Sequence, residues 1–329
     1  MTLARRRFLH LAASAVPLLA APRVLRAEAS SSTWPSRPVR ILVGFGAGGA
    51  PDILARLIGQ WLSERLGQQF IVENRPGAGS NIAGEAVAHA PADGYTLLLA
   101  STGNAVNATL YGNLSYDFLR DLAPVAAISR EPLGVEVHPS FPAASVPEFI
   151  AYAKANPGKI SYGSAGSGTT LHMAAELFKM MVGVDLVHVP YRSSAAALTD
   201  LLGHQVQVVF SPLPSSIEHV RNGRLRALAT TGAARSAALP DVPVVGDFVP
   251  GYEATAFYGV CTTGNTNAEI VDRLNREINA GLGDAKLKAR LDELGSSPFV
   301  ASPEEFRRHL ADQTEKWGTV VKAAKLRPE

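Results

Sequence analysis

Short apolar runs alternate with amphipathic stretches along most of this chain, and that alternation restricts it to an α/β fold with parallel sheets. Strands are expected at Val39 to Val43, Phe70 to Glu73, Thr96 to Ala100, Leu133 to His138, Ile160 to Gly163, Leu186 to Val189, Val206 to Phe210, Leu225 to Thr230 and Phe257 to Thr262. Helices are expected between them. In Ile53 to Leu66 the residues Ile53, Leu54, Leu57, Ile58, Trp61 and Leu62 recur at three- and four-residue spacing, and Gly67 ends the run. Further helices are expected at Ile82 to Ala88, Val146 to Ala155, Thr169 to Met181, Ala195 to Leu202, Asn267 to Ala280 and Pro303 to Ala323.

Two strand-to-helix junctions are rich in glycine. Gly44-Phe45-Gly46-Ala47-Gly48-Gly49-Ala50-Pro51-Asp52 precedes the Ile53 helix, and Ser164-Ala165-Gly166-Ser167-Gly168-Thr169 precedes the Thr169 helix. Each leaves backbone N–H groups unscreened at a helix N-terminus, where the peptide dipoles favour a negative charge. The second adds hydroxyl donors. A third polar turn, Ser101-Thr102-Gly103-Asn104, lies at the C-terminal end of its strand, the edge where open α/β sheets place ligands. Two cradles more than a hundred residues apart suit two lobes facing one anionic ligand.

The first residues bear on location. Arg5 to His10 precede an apolar stretch from Leu11 to Ala21, and Ala27-Glu28-Ala29 offers a small-x-small cleavage pattern, so residues 1–29 are expected to be an export signal cleaved near Ala29. The paired arginines before Phe8-Leu9, with Arg23 and Arg26, resemble a twin-arginine signal; an ordinary secretory signal is the alternative. Either route leads to a bacterial periplasm. No later segment reaches the roughly 20 apolar residues of a membrane span. Removing residues 1–29 leaves 31 − 5 = 26 basic and 29 − 1 = 28 acidic residues, a formal charge of −2. That near-neutrality argues against nucleic acid as a partner. The length of the mature chain favours two lobes, and a monomer is expected. The single cysteine, Cys261, excludes an internal disulfide and a cysteine-based metal cluster, and its apolar neighbours make it a buried small hydrophobe.

Dispersed motifs carry a family resemblance. The run from Trp34 to Asp52, Asn74-Arg75-Pro76-Gly77-Ala78-Gly79, Asp93-Gly94-Tyr95-Thr96, His188-Val189-Pro190-Tyr191, Ala197 to Gly203 and Ile270 to Asn275 are similar in order and spacing to the Bordetella uptake gene products, the receptors of tripartite tricarboxylate transporters. The resemblance implies a two-lobed, type II-like periplasmic binding protein that closes on a small organic acid and serves a membrane permease, with no catalysis, cofactor or metal. It carries the ligand carboxylate onto Phe45, Gly46, Ala47, Gly48, Gly49 and Asp52 of the first turn and Ser164, Gly166, Ser167, Gly168 and Thr169 of the second. Ser101, Thr102, Asn104, Tyr191 and Ser211 complete the candidate ligand set. Chain order assigns 34–130 plus 246–329 to one lobe and 131–245 to the other, with the proline-rich stretch Leu239 to Pro250 as a connection.

Several residues carry alternatives. Asp52 beside a carboxylate would repel it, so capping of a helix beginning at Ile53 is the favoured role. His172 and Glu176 have metal-pair spacing but no evident third ligand, and a structural hydrogen bond explains the histidine. Arg192 either pairs with a distal carboxylate or is a solvated arginine. Arg192-Ser193-Ser194 replaces a basic residue followed by two glycines, and Gln207 and Ser211 stand where acidic residues are common in the family. Loss of those acids favours a dicarboxylate or aromatic acid without a free amine. The competing function is an exported NAD(P)-dependent oxidoreductase, since Gly44, Gly46 and Gly49 satisfy G-x-G-x-x-G and Glu73 ends the next strand. Against it, Pro51 and Asp52 are expected to delay the helix beyond the third glycine.

Overall fold

A computed structural model describes residues 34–323 and 325–328. The expected signal segment and its cleavage site lie outside the described residues.

The first elements are β1 (Val39–Val43), α1 (Ala50–Leu66), β2 (Phe70–Asn74), α2 (Asn81–Ala88), β3 (Thr96–Ser101) and α3 (Thr102–Leu110). A long strand, β4 (Leu122–Val137), leads to α4 (Val146–Ala155), β5 (Ser161–Ser164), α5 (Thr170–Val182), β6 (Val187–Pro190), α6 (Ser194–Leu202), β7 (Val208–Pro212), α7 (Leu213–Arg221) and β8 (Arg226–Thr230). The chain finishes with β9 (Thr255–Thr263), α8 (Ala268–Gly283), α9 (Ala285–Glu293), β10 (Ser297–Pro298) and α10 (Pro303–Ala323).

The strands form one continuous sheet in the order β2-β1-β3-β9-β4-β7-β5-β6, with β8 and β10 also paired to β4. Both ends are parallel: β1 pairs with β2 and β3, and β5 with β6 and β7. The middle is antiparallel, because β9 lies between β3 and β4, and β4 pairs with β7 and β8. Parallel neighbours need a crossover helix, which the alternating segments supply.

β4 joins the two halves of the sheet. Leu122 to Pro132 pair with β9, and from Leu133 onward the partners are β7 and β8. The strand expected from Leu133 is therefore only the second part of a longer one. Pro124 and Pro132 hide the first part, since proline removes a ladder donor; the β4–β9 register shifts between Pro124 and Ala126 and again between Ala127 and Ser129. The Leu239 to Pro250 stretch runs between β8 and β9, with Val244 bridging to Thr230 and a 3-10 turn at Val245–Asp247.

Three helices escaped sequence reasoning. α3 is built on Gly103, Asn104, Asn107 and Thr109, poor helix formers, but its length is almost wholly buried and packing overrides propensity. α7 carries Pro214 in its first turn, where a missing N–H costs nothing. α9 buries only Leu287 and Leu291, too few to mark a stripe, and is capped by the Asp284 carboxylate accepting from Lys286 N and Leu287 N. On the β3–β9 side of the sheet, Phe257, Phe306, Leu310, Leu98 and Cys261 form a core around which α10 closes. Burial pushes the Cys261 thiol up to about 12 and leaves it unreactive.

Candidate functional site

α1 starts earlier than expected. Gly49 is its N-cap in extended backbone, and Ala50 and Pro51 open the first turn, where proline's fixed φ is favourable. The glycine turn therefore runs directly into a helix, and a delayed helix start is no argument against a dinucleotide. Asp52 is not the cap. Buried in the first turn, its carboxylate accepts from Gly48 N at 3.0 Å, from Asn74 Nδ2 at 3.0 Å and from Arg56 through Nε at 3.1 Å and Nη2 at 2.9 Å. Burial is the largest influence on its pKa and pushes it up; hydrogen bonds from Arg56, Gly48 and Asn74 outweigh it and leave the pKa lowered. Asp52 thus holds the turn's shape. Glu73, the candidate ribose acid, is ion-paired to Arg40 and Arg75.

The second turn rests on a stack of rings. His172 lies 4.1 Å from His188, and His188 lies 4.9 Å from Tyr162, all nearly parallel. Gly168 N donates to His172 Nδ1 at 3.1 Å, and Ser164 Oγ is 2.6 Å from His188 Nε2. Burial, with the charges of His188 and Lys179, pushes the His172 pKa down to about 3, so the ring is neutral and its Nδ1 is free to accept. Glu176 faces elsewhere, accepting from Tyr162 Oη and Lys179 Nζ, each at 2.6 Å. No cluster of three metal-ligating side chains occurs among the described residues.

The two turns line one cavity together; the first also meets the β6–α6 junction and the second packs on α3. Gly46 N donates to Arg192 O at 3.2 Å, and an added Cβ at Gly49 would stand 2.8 Å from Ser194 Oγ. A Cβ at Gly168 would meet Asn107 Oδ1 at 2.5 Å and Leu110 Cδ2 at 2.7 Å on α3. Glycine is needed here because neighbouring side chains pack directly against the turn backbone, where a Cβ would overlap Ser194, Asn107 or Leu110. Ser193 caps α6 by accepting from Ala196 N, and Ser194 Oγ is 3.1 Å from Ser215 Oγ.

Between the turns lies a narrow, partly open cavity of about 20 Å³, lined by Phe45, Pro51, Ser101, Gly103, Ala165, Thr169 to Leu171, Ser194, Pro212 and Tyr258. Apart from Phe45 and Ala165 in the turns and Tyr258 on β9, these residues cap or open α1, α3, α5, α6 and α7. Five helices thus bring capping or first-turn residues, where the helix dipole favours an anion, to one small space. No charged side chain lines it. A wider basin of about 420 Å³ abuts it at Phe45 and Ala165 and is walled by Gly44, Pro76 to Gly79, Tyr111, Gly166, Ser167 and Pro190 to Arg192.

Of the residues singled out by sequence, Phe45, Ser101 and Thr169 line the cavity, and Phe45, Gly166, Ser167 and Tyr191 line the basin. Ser167 Oγ is buried without a hydrogen-bond partner among the described residues. Gly46, Ala47, Gly48, Gly49, Asp52, Ser164 and Gly168 frame the turns without lining either space. Thr102 Oγ1 accepts from Phe257 N, and Asn104 Oδ1 accepts from Ser101 N. Ser211 is buried in β7, donating to Pro212 O at 3.4 Å, and Gln207 accepts from Ser161 N. Tyr191 Oη donates to Asp200 at 2.7 Å.

Tyr258 was missed. It lies in the strand expected from Phe257 to Thr262, where an apolar pattern alone does not mark it, yet a tyrosine there needs somewhere to put its hydroxyl. The β3–β9 register sets it opposite Ser101, which brings both to the cavity wall. A pairing of residues so distant in sequence leaves no local signal.

Two sheet halves joined by shared strands, with glycine-rich turns between them, define a periplasmic-binding-protein fold, and solved structures agree. An R. palustris protein solved with adipate superposes with a TM-score of 0.87 at 38% identity, covering 90% of this chain and all of that one. The periplasmic binding protein BugD gives 0.86 at 31% identity, covering 90% of this chain and 100% of its own. MatC from Rhodopseudomonas palustris with bound malate gives 0.83 at 28%, covering 88% and 100%. Protein BugT of Bordetella pertussis is 35% identical over 308 residues, 92% of this chain and 94% of that protein. The chain belongs to the tripartite tricarboxylate transporter family receptors, whose family model matches residues 54–326. Nothing in these comparisons supports the oxidoreductase. No helix among the described residues is long and apolar enough to cross a membrane.

Proposed function

We propose that this receptor captures a small organic acid lacking a free amine, with one carboxylate held between the two glycine turns, and delivers it to a tripartite-type permease. The observation that carries this is the convergence of five helix N-termini on a cavity without a charged side chain. Each such end contributes about 0.3–1 kcal/mol toward an anion, and more when partly buried. The turn residues Phe45 to Gly49 and Ser164 to Thr169, with Ser101 and the frame of Thr102, Asn104, Asp52, Tyr191 and Ser211, shape the clamp; Tyr258 joins them. An α-ammonium group finds no acidic side chain lining either space, and the nearby Asp52 and Asp200 are engaged with Arg56 and Tyr191. Adipate and malate in related proteins support a dicarboxylate.

The lobes are 34–130 plus 246–329, and 131–245; the change of β4 partners at Pro132–Leu133 supports that division. Capture is a closure about the connecting strands, selected by a ligand that touches both halves, and no bond is made or broken. Residues 1–29 act as the export signal, twin-arginine in type, cleaved near Ala29, and the mature receptor works as a monomer.

A thermal-shift series on the mature protein tests this. At about 100 times its dissociation constant a ligand adds roughly 2.7 kcal/mol, an upward shift of about 5 °C. Four- to six-carbon dicarboxylates are expected to give that shift. A response to aspartate and glutamate alone, or to NADPH alone, would overturn the proposal.

A further inference from the structure

We propose that Arg192 is the residue that makes this receptor select diacids, by reading a second anionic group on a ligand whose first carboxylate sits in the clamp; this rests on the carboxylate-receptor function proposed above. Arg192 is the one charged side chain among those lining the cavity and the basin. It is exposed, and its guanidinium has neither a hydrogen bond nor an ion pair among the described residues. Several other arginines, among them Arg37, Arg56, Arg65, Arg75 and Arg120, are each held by a carboxylate and so are not free to read a ligand.

The backbone beneath Arg192 is fixed. Its carbonyl accepts from Gly46 N across the cleft, Tyr191 is tied through its hydroxyl to Asp200, and Ser193 caps α6. The stem is therefore anchored in register with the first glycine turn, while the guanidinium is left to solvent and ligand. A planar, permanently charged fork on a fixed stem suits bidentate recognition of a carboxylate.

The space between clamp and arginine defines the rest of the ligand. The cavity and the basin meet at Phe45 and Ala165, and Pro76, Gly77, Ala78 and Gly79 wall the basin with apolar or backbone surface. Such walls favour a methylene spacer over a hydroxylated one. The matching ligand is a flexible α,ω-diacid whose spacer passes Phe45 and Ala165 and whose distal carboxylate meets Arg192.

Calorimetry on the mature protein with adipate and with hexanoate, its monoacid counterpart of equal chain length, tests the inference in the unaltered chain, Arg192→Gln and Arg192→Lys. The unaltered protein is expected to bind adipate at least tenfold more tightly than hexanoate. Arg192→Gln should weaken adipate at least tenfold and leave hexanoate within twofold, and Arg192→Lys should retain part of the difference. Equal losses for both acids would make Arg192 a structural support of the cleft and overturn the inference, as would unchanged adipate affinity in Arg192→Gln; in both cases the clamp itself would stand. Binding of neither acid by the unaltered protein would overturn the clamp and the inference together.

Discussion

Glu131 and Glu136 flank the Pro132–Leu133 point at which β4 changes partners, and both side chains are fully buried. Glu136 Oε1 accepts from Ser216 Oγ, and Oε2 has no partner among the described residues. Glu131 Oε1 accepts from Ser129 and Ser296, with Oε2 likewise unpartnered. Burial pushes Glu136 up to about 8 and Glu131 up to about 7, against an ordinary 4.5. The sign follows from proton binding: between pH 4.5 and 8 the folded chain keeps a proton on Glu136 that the unfolded chain has released. Stability is therefore full below pH 4.5 and falls as pH rises through that window, at about 1.4 kcal/mol per pH unit, or about 5 kcal/mol in all. Glu131 adds about 3 kcal/mol over its shorter window. Glu136→Gln is neutral at every pH. Its amide leaves new donors buried, which costs about 1–3 kcal/mol at pH 5, but the pH-dependent loss disappears. Urea unfolding followed by circular dichroism at pH 5, 6, 7 and 8 should show the unaltered protein losing about 4 kcal/mol more than the variant across that range. His172 and His309, lowered by burial to about 3 and 4, gain stability as pH rises toward 6.5, but they do so equally in both proteins. Parallel stability profiles for the two proteins would refute the assignment of a protonated carboxyl at Glu136.

Three other substitutions probe the clamp and the core. Gly49→Val sets a branched side chain against Ser194 across the cleft at a φ of −82° that valine tolerates, so adipate affinity measured by calorimetry should fall at least tenfold while the ligand-free protein stays folded; Gly48, at φ 80°, would strain instead. His172→Leu removes the acceptor for Gly168 N and should weaken adipate about fivefold to a hundredfold, with a destabilisation of about 1–3 kcal/mol in urea. Phe306→Ala empties the fully buried site beneath Gly259 and Phe257 and should cost about 3–5 kcal/mol by the same measurement, without changing the ligand preference.

Much of the architecture is local. β1, α4 and α10 occur at the expected boundaries, because period-two and period-3.6 patterns, Ser145 as a cap and glycines such as Gly67 and Gly183 in left-handed backbone act over a few residues. The two glycine turns were equally legible, since strand, glycine and helix start are adjacent in the chain. The roles of individual residues within them were not. Asp52 was misplaced as a cap because Asn74 and Arg56, which engage it inside the helix, come from another strand and the next helical turn.

What only the tertiary structure decided is what meets at the centre. The antiparallel placement of β9 against β3 and β4 brings Tyr258 to Ser101, and the crossing of both halves on β4 sets Arg192 beside Gly46. The sequence determined each strand-to-helix unit, because hydrophobic period and capping are short-range. Convergence of five such units on one small cavity depends on pairings between distant segments, whose partners no local pattern specifies.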